Sequence, residues 1–231
     1  MIETKDCFVR DRCKKYKKCK SCDNDSFCIK LYKINELYNL ALLSDFQKSR
    51  TVLKLDTSMR DKDAFSRLKM IEDSIEDFVK SGKNLYLHSA ISGNGKTSWA
   101  VRLIQDYINA IWYKSDMVCK ALFINVPRFL LALKDNISNK NDYVAHIHAN
   151  ILDADIVVWD DIATKGVTEY ESENLLSLID ARVNLHKSNV FTSNMNESEI
   201  YNLMGTRLAS RIINLSENIE FFEFDKRGIR G

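Results

Sequence analysis

Two hydrophobic periodicities divide this chain near residue 84. Upstream, apolar residues recur at helical spacing, first through Leu31, Ile34, Leu37, Tyr38, Leu40, Leu42 and Leu43, then through Phe65, Leu68, Ile71, Ile75 and Phe78. Downstream, short apolar runs alternate with amphipathic stretches, the pattern of a parallel sheet with crossover helices. Strands are predicted at Leu85 to Leu87, Ala121 to Val126, Ile156 to Trp159, Val190 to Thr192 and Ile219 to Phe224. Helical spacing fills the intervals at Trp99 to Ile111, Phe129 to Leu133, Leu175 to Leu185 and Ile200 to Ile213. The expected fold is therefore α/β, a three-layer sandwich around five parallel strands. A length of 231 residues suits one such domain and a small appendage.

Candidate chemistry enters at the end of the first strand. Ala90-Ile91-Ser92-Gly93-Asn94-Gly95-Lys96-Thr97 follows Leu85 to Leu87 and opens a helix, the context in which a glycine-rich loop cradles phosphates. Gly93 and Gly95 let the backbone approach the ligand, and amides from Ser92 through Ser98 supply donors at the positive end of a helix. Lys96 is placed to reach the β- and γ-phosphates of ATP, or the β-phosphate of ADP, and the Thr97 hydroxyl to ligate Mg2+. Ala90 stands where the usual pattern has its first glycine, so a loop either slightly strained or differently entered is expected there.

Some sixty residues later Ile156-Val157-Val158-Trp159-Asp160-Asp161 is an apolar strand ending in two acids, as a Walker B segment does. Asp160 is assigned to the magnesium ion and Asp161 to polarising the attacking water. Val190-Phe191-Thr192-Ser193-Asn194 puts an amide at the sheet's carboxyl edge, where ligands of open α/β sheets collect. Asn194 there either orients the water or caps the next helix. Arg207 and Arg211, four apart, share a helix face. Such a pair either supplies an arginine finger to a neighbouring subunit's nucleotide or lines a surface ion-pair face.

Charge and cysteine usage set the N-terminus apart. Residues 1–30 hold nine Lys or Arg against five Asp or Glu, a local +4 within a chain whose net charge is +2. Indiscriminate nucleic-acid binding is thereby disfavoured. The segment also holds Cys7, Cys13, Cys19, Cys22 and Cys28, five of the six cysteines. No stretch is apolar enough for a membrane span or signal peptide, so a cytosolic protein is expected, where clustered thiols favour metal over disulfides. One tetrahedral Zn2+ takes four ligands. The equally spaced pairs Cys7/Cys13 and Cys22/Cys28 are the chosen set, with Cys19 as the substitute for Cys22.

In their order, Gly93-Asn94-Gly95-Lys96-Thr97, Val157-Val158-Trp159-Asp160-Asp161, Thr192-Ser193-Asn194 and Arg207 with Ser210-Arg211 make residues 50 to 231 resemble the AAA+ helicase loaders of bacteria and their phages, the DnaC/DnaI type. That resemblance implies an ATPase lacking a C-terminal lid. It would bind the replicative hexameric helicase, help place it on single-stranded DNA and form homo-oligomers through its nucleotide sites. It carries over Lys96 and Thr97 as phosphate-loop residues, Asp160 and Asp161 as Walker B acids, Asn194 as first sensor, and Arg211 before Arg207 as finger. Arg227 and Arg230 are weak candidates for a second sensor. Residues 1–48 are assigned to a helicase-docking module and 49–231 to the ATPase domain. Two other functions are weighed: a transposition-regulator ATPase, and a nucleotide-gated adaptor with little turnover.

Overall fold

The two periodicities become the two halves of one layered structure. A computed structural model describes residues 2–3, 21–22, 25–49 and 61–222. In chain order, β1 (Ile2–Glu3) pairs antiparallel with β2 (Ser21–Cys22), and α1 (Asp25–Leu40), α2 (Asp45–Ser49), α3 (Lys62–Asp73) and α4 (Ile75–Lys80) follow. The crossover region then runs β3 (Asn84–His88), α5 (Lys96–Ile111), β4 (Ala121–Asn125), α6 (Val126–Asp135), α7 (Asp142–Asn150) and β5 (Ile156–Asp160). It closes with α8 (Glu169–Asn184), β6 (Ser188–Ser193), α9 (Glu197–Met204), α10 (Thr206–Ile213) and β7 (Ser216–Glu220). The five crossover strands form one sheet in the order β4-β5-β6-β3-β7, every neighbouring pair parallel.

Because strand side chains alternate between faces, β3, β4, β5 and β6 each feed two cores, while the edge strand β7 feeds one through Ile219. Leu85, Leu87, Phe123, Ile156, Val158, Val190 and Ile219 pack with α1, α3, α4 and α5. Tyr86, Leu122, Ile124, Val157, Trp159 and Phe191 pack with α6 to α10 on the other face. A sheet apolar on both faces explains why its strands read as continuous hydrophobic runs. Burying Trp99 and Trp159 completely contributes on the order of 2 to 3 kcal/mol each.

A polar belt crosses the amino-terminal side of the sheet. Asn189 in β6 accepts from Trp159 Nε1 in β5 at 3.1 Å and from Arg182 Nε at 2.8 Å, and donates to Asn84 Oδ1 in β3 at 3.0 Å. Arg182 is fully buried and also donates to the carbonyls of Ile151, Ala154 and Ser188. Burial lowers its pKa to about 9. These bonds fix the strands that carry the phosphate loop, the acids and the sensor segment relative to one another.

Several boundaries differ from the sequence pattern. The fifth strand begins at Ser216, three residues before the predicted Ile219, and ends before Phe221. Pairing of Ser216 to Glu220 with β3 decides this, since a polar edge strand has little apolar signal of its own. Val126, predicted as strand, opens α6, because the Asn125 side chain accepts from the Arg128 amide and Pro127 favours a first helical turn. The helix predicted from Ile200 to Ile213 is two, broken at Gly205. Helix α7 escaped the pattern altogether. Helix α1, grouped with the cysteine-rich module in the sequence reading, buries Ile34 and Leu37 in the same core as α5. The segment after it is pinned by Phe123 N–H donating to Ala41 O at 2.9 Å.

Candidate nucleotide site

The phosphate loop joins His88, the last residue of β3, to Lys96, the first of α5. Gly93 and Gly95 have φ of 78° and 109°, a region that L side chains rarely occupy. A Cβ on Gly95 would meet nothing within 4 Å, so the demand there is conformational and not steric. Ala90 is not among the residues with positive φ, so the strain expected from alanine is absent. Side chains brace the loop from within. Ser89 Oγ accepts from the Ile91 amide at 3.0 Å and from Asn94 Nδ2 at 2.6 Å. Lys96 Nζ, nearly buried, donates to Asn94 Oδ1 at 2.9 Å and to Ile91 O at 3.0 Å. Asn94 thus positions the lysine as well as offering its amide.

Strand alternation builds the acidic edge. Ile156 and Val158 face α5, and two residues on so does Asp160; Val190 faces α5, and so does Thr192. Register sets Asn125 beside Asp160, and Thr192 falls one step beyond the Trp159–Phe191 pair. Asp160 Oδ1 accepts from Thr97 Oγ1 at 2.7 Å and from Thr192 Oγ1 at 2.8 Å. The Asn125 side chain also bonds to Asp160. Asp161 lies in the left-handed region at φ 57°, its amide donating to Thr192 Oγ1 at 2.9 Å.

Burial, and then the neighbouring charge of Asp161, raises the pKa of Asp160. Burial raises that of Asp161 as well, opposed by the Lys96 ammonium. The buried Asp160, the half-buried Asp161 and the Thr97 hydroxyl form an oxygen donor set suited to a hard divalent cation, and the Lys96 ammonium across the loop suits the polyphosphate beside it. The residues present therefore fit Mg2+ and a nucleotide, with Thr97 and Asp160 to hold the ion and the loop to hold the phosphates.

The remaining candidates are more dispersed. Ser92 is exposed and Ser98 half-buried, one before and one after the bend of the loop. Asn194 lies half-buried just past β6, at the carboxyl edge beside His88 and Ser193. It does not cap the next helix; Asn196 does, in a capping box with Glu199. Arg207 is exposed on α10, and Arg211 makes an ion pair with Asp180 of α8 in its own chain. Among the described residues neither arginine bonds to the loop or to the acids of the same chain. Cys7, Cys13, Cys19, Arg227 and Arg230 lie outside the described residues. For Cys22 in β2 and Cys28 in α1 only the backbone is described.

Three contributors escaped the sequence reading: Ser89, Asn125 and Thr192. Thr192 had a signal, since it stands two residues after Val190 and so shares the face of Asp160. The other two are ordinary polar residues at strand ends, and only their partners reveal a role.

Residues 33–214 match the family described as IstB-like ATP binding protein. No curated protein matches the chain. Among solved structures, the DnaC helicase loader is similar with a TM-score of 0.57 and 18% identity, over 80% of this chain and 98% of that one. DnaI is similar with a TM-score of 0.55 and 18% identity, over 82% of this chain and 93% of that one. The replication initiator DnaA bound to AMPPCP and single-stranded DNA is similar with a TM-score of 0.54 and 14% identity. The match spans 74% of this chain and 48% of that protein. At these identities the structures speak for a shared P-loop AAA+ fold, while the family match covers the phosphate loop, both acids and the arginine helix; the chain belongs to the IstB-like ATP binding proteins.

Proposed function

We propose that the protein is an ATPase that loads the replicative hexameric helicase onto single-stranded DNA. The observation carrying this reading is the meeting of Lys96, Thr97 and Asp160 at the carboxyl edge of a sheet whose fold extends along nearly the whole DnaC helicase loader. When bound, Mg2+ and ATP supply a polarised γ-phosphoryl group and a counter-charge for it. Lys96 neutralises phosphate charge, Thr97 and Asp160 hold the ion, Asp161 accepts a proton from water and Asn194 orients that water. An arginine of α10, Arg211 before Arg207, would complete the site of a neighbouring copy in a homo-oligomer.

The N-terminal cysteines, with Cys7, Cys13, Cys22 and Cys28 as ligands, would fold around one Zn2+ and dock the helicase. Four thiolates carry net −2 with the ion, which offsets half of the local +4 and favours a protein contact over nucleic acid. Among the described residues no helix is long and apolar enough to cross a membrane, in keeping with a cytosolic role. A pull-down from the native host tests the whole reading. A hexameric helicase retained with the tagged protein in the presence of Mg-ATP is the expected result; a transposase in its place would turn the assignment to a transposition regulator.

A further inference from the structure

Four bonds from the end of β6 grip the turn that follows Asp160. Thr192 Oγ1 donates to Asp160 Oδ1 at 2.8 Å and accepts from the Asp161 amide at 2.9 Å. Thr192 O accepts from the Ile162 amide at 2.9 Å, and Ser193 Oγ donates to Ile162 O at 2.8 Å. The turn needs such a grip, because Asp161 and Ala163 both sit at positive φ, 57° and 61°, each costing roughly 1 kcal/mol or more in an L residue. Only one of the three groups that make these bonds touches the Asp160 carboxylate and also sets the backbone of Asp161. That group is the Thr192 hydroxyl.

We infer that Thr192 is the positioning residue of the two acids, aiming the Asp160 carboxylate at the cation site and the Asp161 carboxylate at the attacking water. It is 1% exposed and flanked on both sides by paired strands. A β-branched side chain in that setting holds one χ1, so its hydroxyl is fixed in direction. Thr97 donates to the same Asp160 oxygen, but from the first turn of the nucleotide-binding helix, where the ion claims its hydroxyl. Thr192 then remains as the hydroxyl that orients Asp160.

The inference rests on reading this edge as a magnesium-dependent ATPase centre, and the test separates the two. Full-length wild type, Thr192→Val and Thr192→Ser are compared for ATP binding with and without Mg2+ and for turnover across a Mg2+ titration. Valine keeps the shape and removes the hydroxyl; it should leave magnesium-free ATP affinity within about twofold. It should also lower kcat by roughly ten- to a hundredfold, the effect of losing a hydrogen bond to a charged group, and raise the Mg2+ needed for half-maximal rate. Serine restores the hydroxyl and should recover most of both. Wild-type kcat and Mg2+ dependence in Thr192→Val, or no recovery with serine, overturns the inference and leaves the site reading standing. Wild type without magnesium-dependent turnover overturns both. Should the valine variant not fold, Thr192→Ala is held to the same split between binding and rate.

Discussion

Asp106, on the third turn of α5, shows how one side chain can make stability depend on pH. Its Oδ2 is buried without a hydrogen bond, and Arg102 Nε stands 3.6 Å away. Burial first, then the charge of Glu72, pushes its pKa up to about 6 from 3.8, while Arg102 pulls the other way. A carboxyl raised in the folded state binds its proton more tightly there than in the unfolded chain. Its contribution to stability is thus fully present below about pH 4 and is lost as pH rises through about 6. Because the group remains partly exposed, solvent reduces the effect to about 1 kcal/mol. Asp106→Asn should therefore be more stable than wild type at pH 8, with the two melting temperatures converging near pH 4. Equal melting curves at both values would show that Arg102 fully compensates the charge. At this scale the sequence was most readable where chemistry demands one residue type, as at Lys96 and Asp160. It was least readable at Asn94, whose side chain turns inward to hold the lysine.

At the scale of elements, the break between α9 and α10 depends on Gly205. Its φ of 75° and ψ of 159° fall in a region open in practice to glycine alone, and an added Cβ would touch nothing within 4 Å. Gly205→Ala should cost about 1 to 3 kcal/mol through backbone strain alone, seen as a lower urea midpoint. A change below about 0.5 kcal/mol, the usual effect of a surface substitution, would place the origin of the break elsewhere. The sequence showed one apolar helical pattern across Ile200 to Ile213 because Ile200, Met204, Leu208 and Ile212 all keep to one core. Periodicity reports the buried face and is blind to a change of axis. It missed α7 for a different reason. Val144 and Ile147 are its only buried residues, diluted by His146, His148 and Asn150, while the Asn141 cap that starts it is a local signal.

For the whole molecule the open relation is between copies. Arg211 is tied to Asp180 on its own chain, across α10 and α8, with both side chains partly in solvent. An ion pair so placed is worth about 0 to 1 kcal/mol, little enough to exchange for a partner's phosphate. Arg211→Ala should keep the melting temperature and ATP affinity of wild type while lowering turnover under assembling conditions, measured against protein concentration. Turnover equal to wild type there would move the finger to Arg207 or off α10. Asp180→Asn is the control for the lost pair, since it frees the arginine without removing it.

The sequence by itself determined that strand and helix alternate, that a phosphate loop opens the first long crossover helix and that two acids end the third strand of the sheet. Each follows from local chemistry: a period of two or 3.6, a glycine pair before Lys-Thr, a run of apolar residues closed by carboxylates. Only the tertiary structure decided which strands are neighbours, and so that Thr192 meets Asp160, that Asn189 ties β6 to β3 through Asn84 and to β5 through Trp159, and that the polar segment from Ser216 becomes the edge. Those outcomes depend on which strands pair across long stretches of chain, and strands apolar on both faces read alike as continuous runs, so the pattern does not tell one neighbour from another.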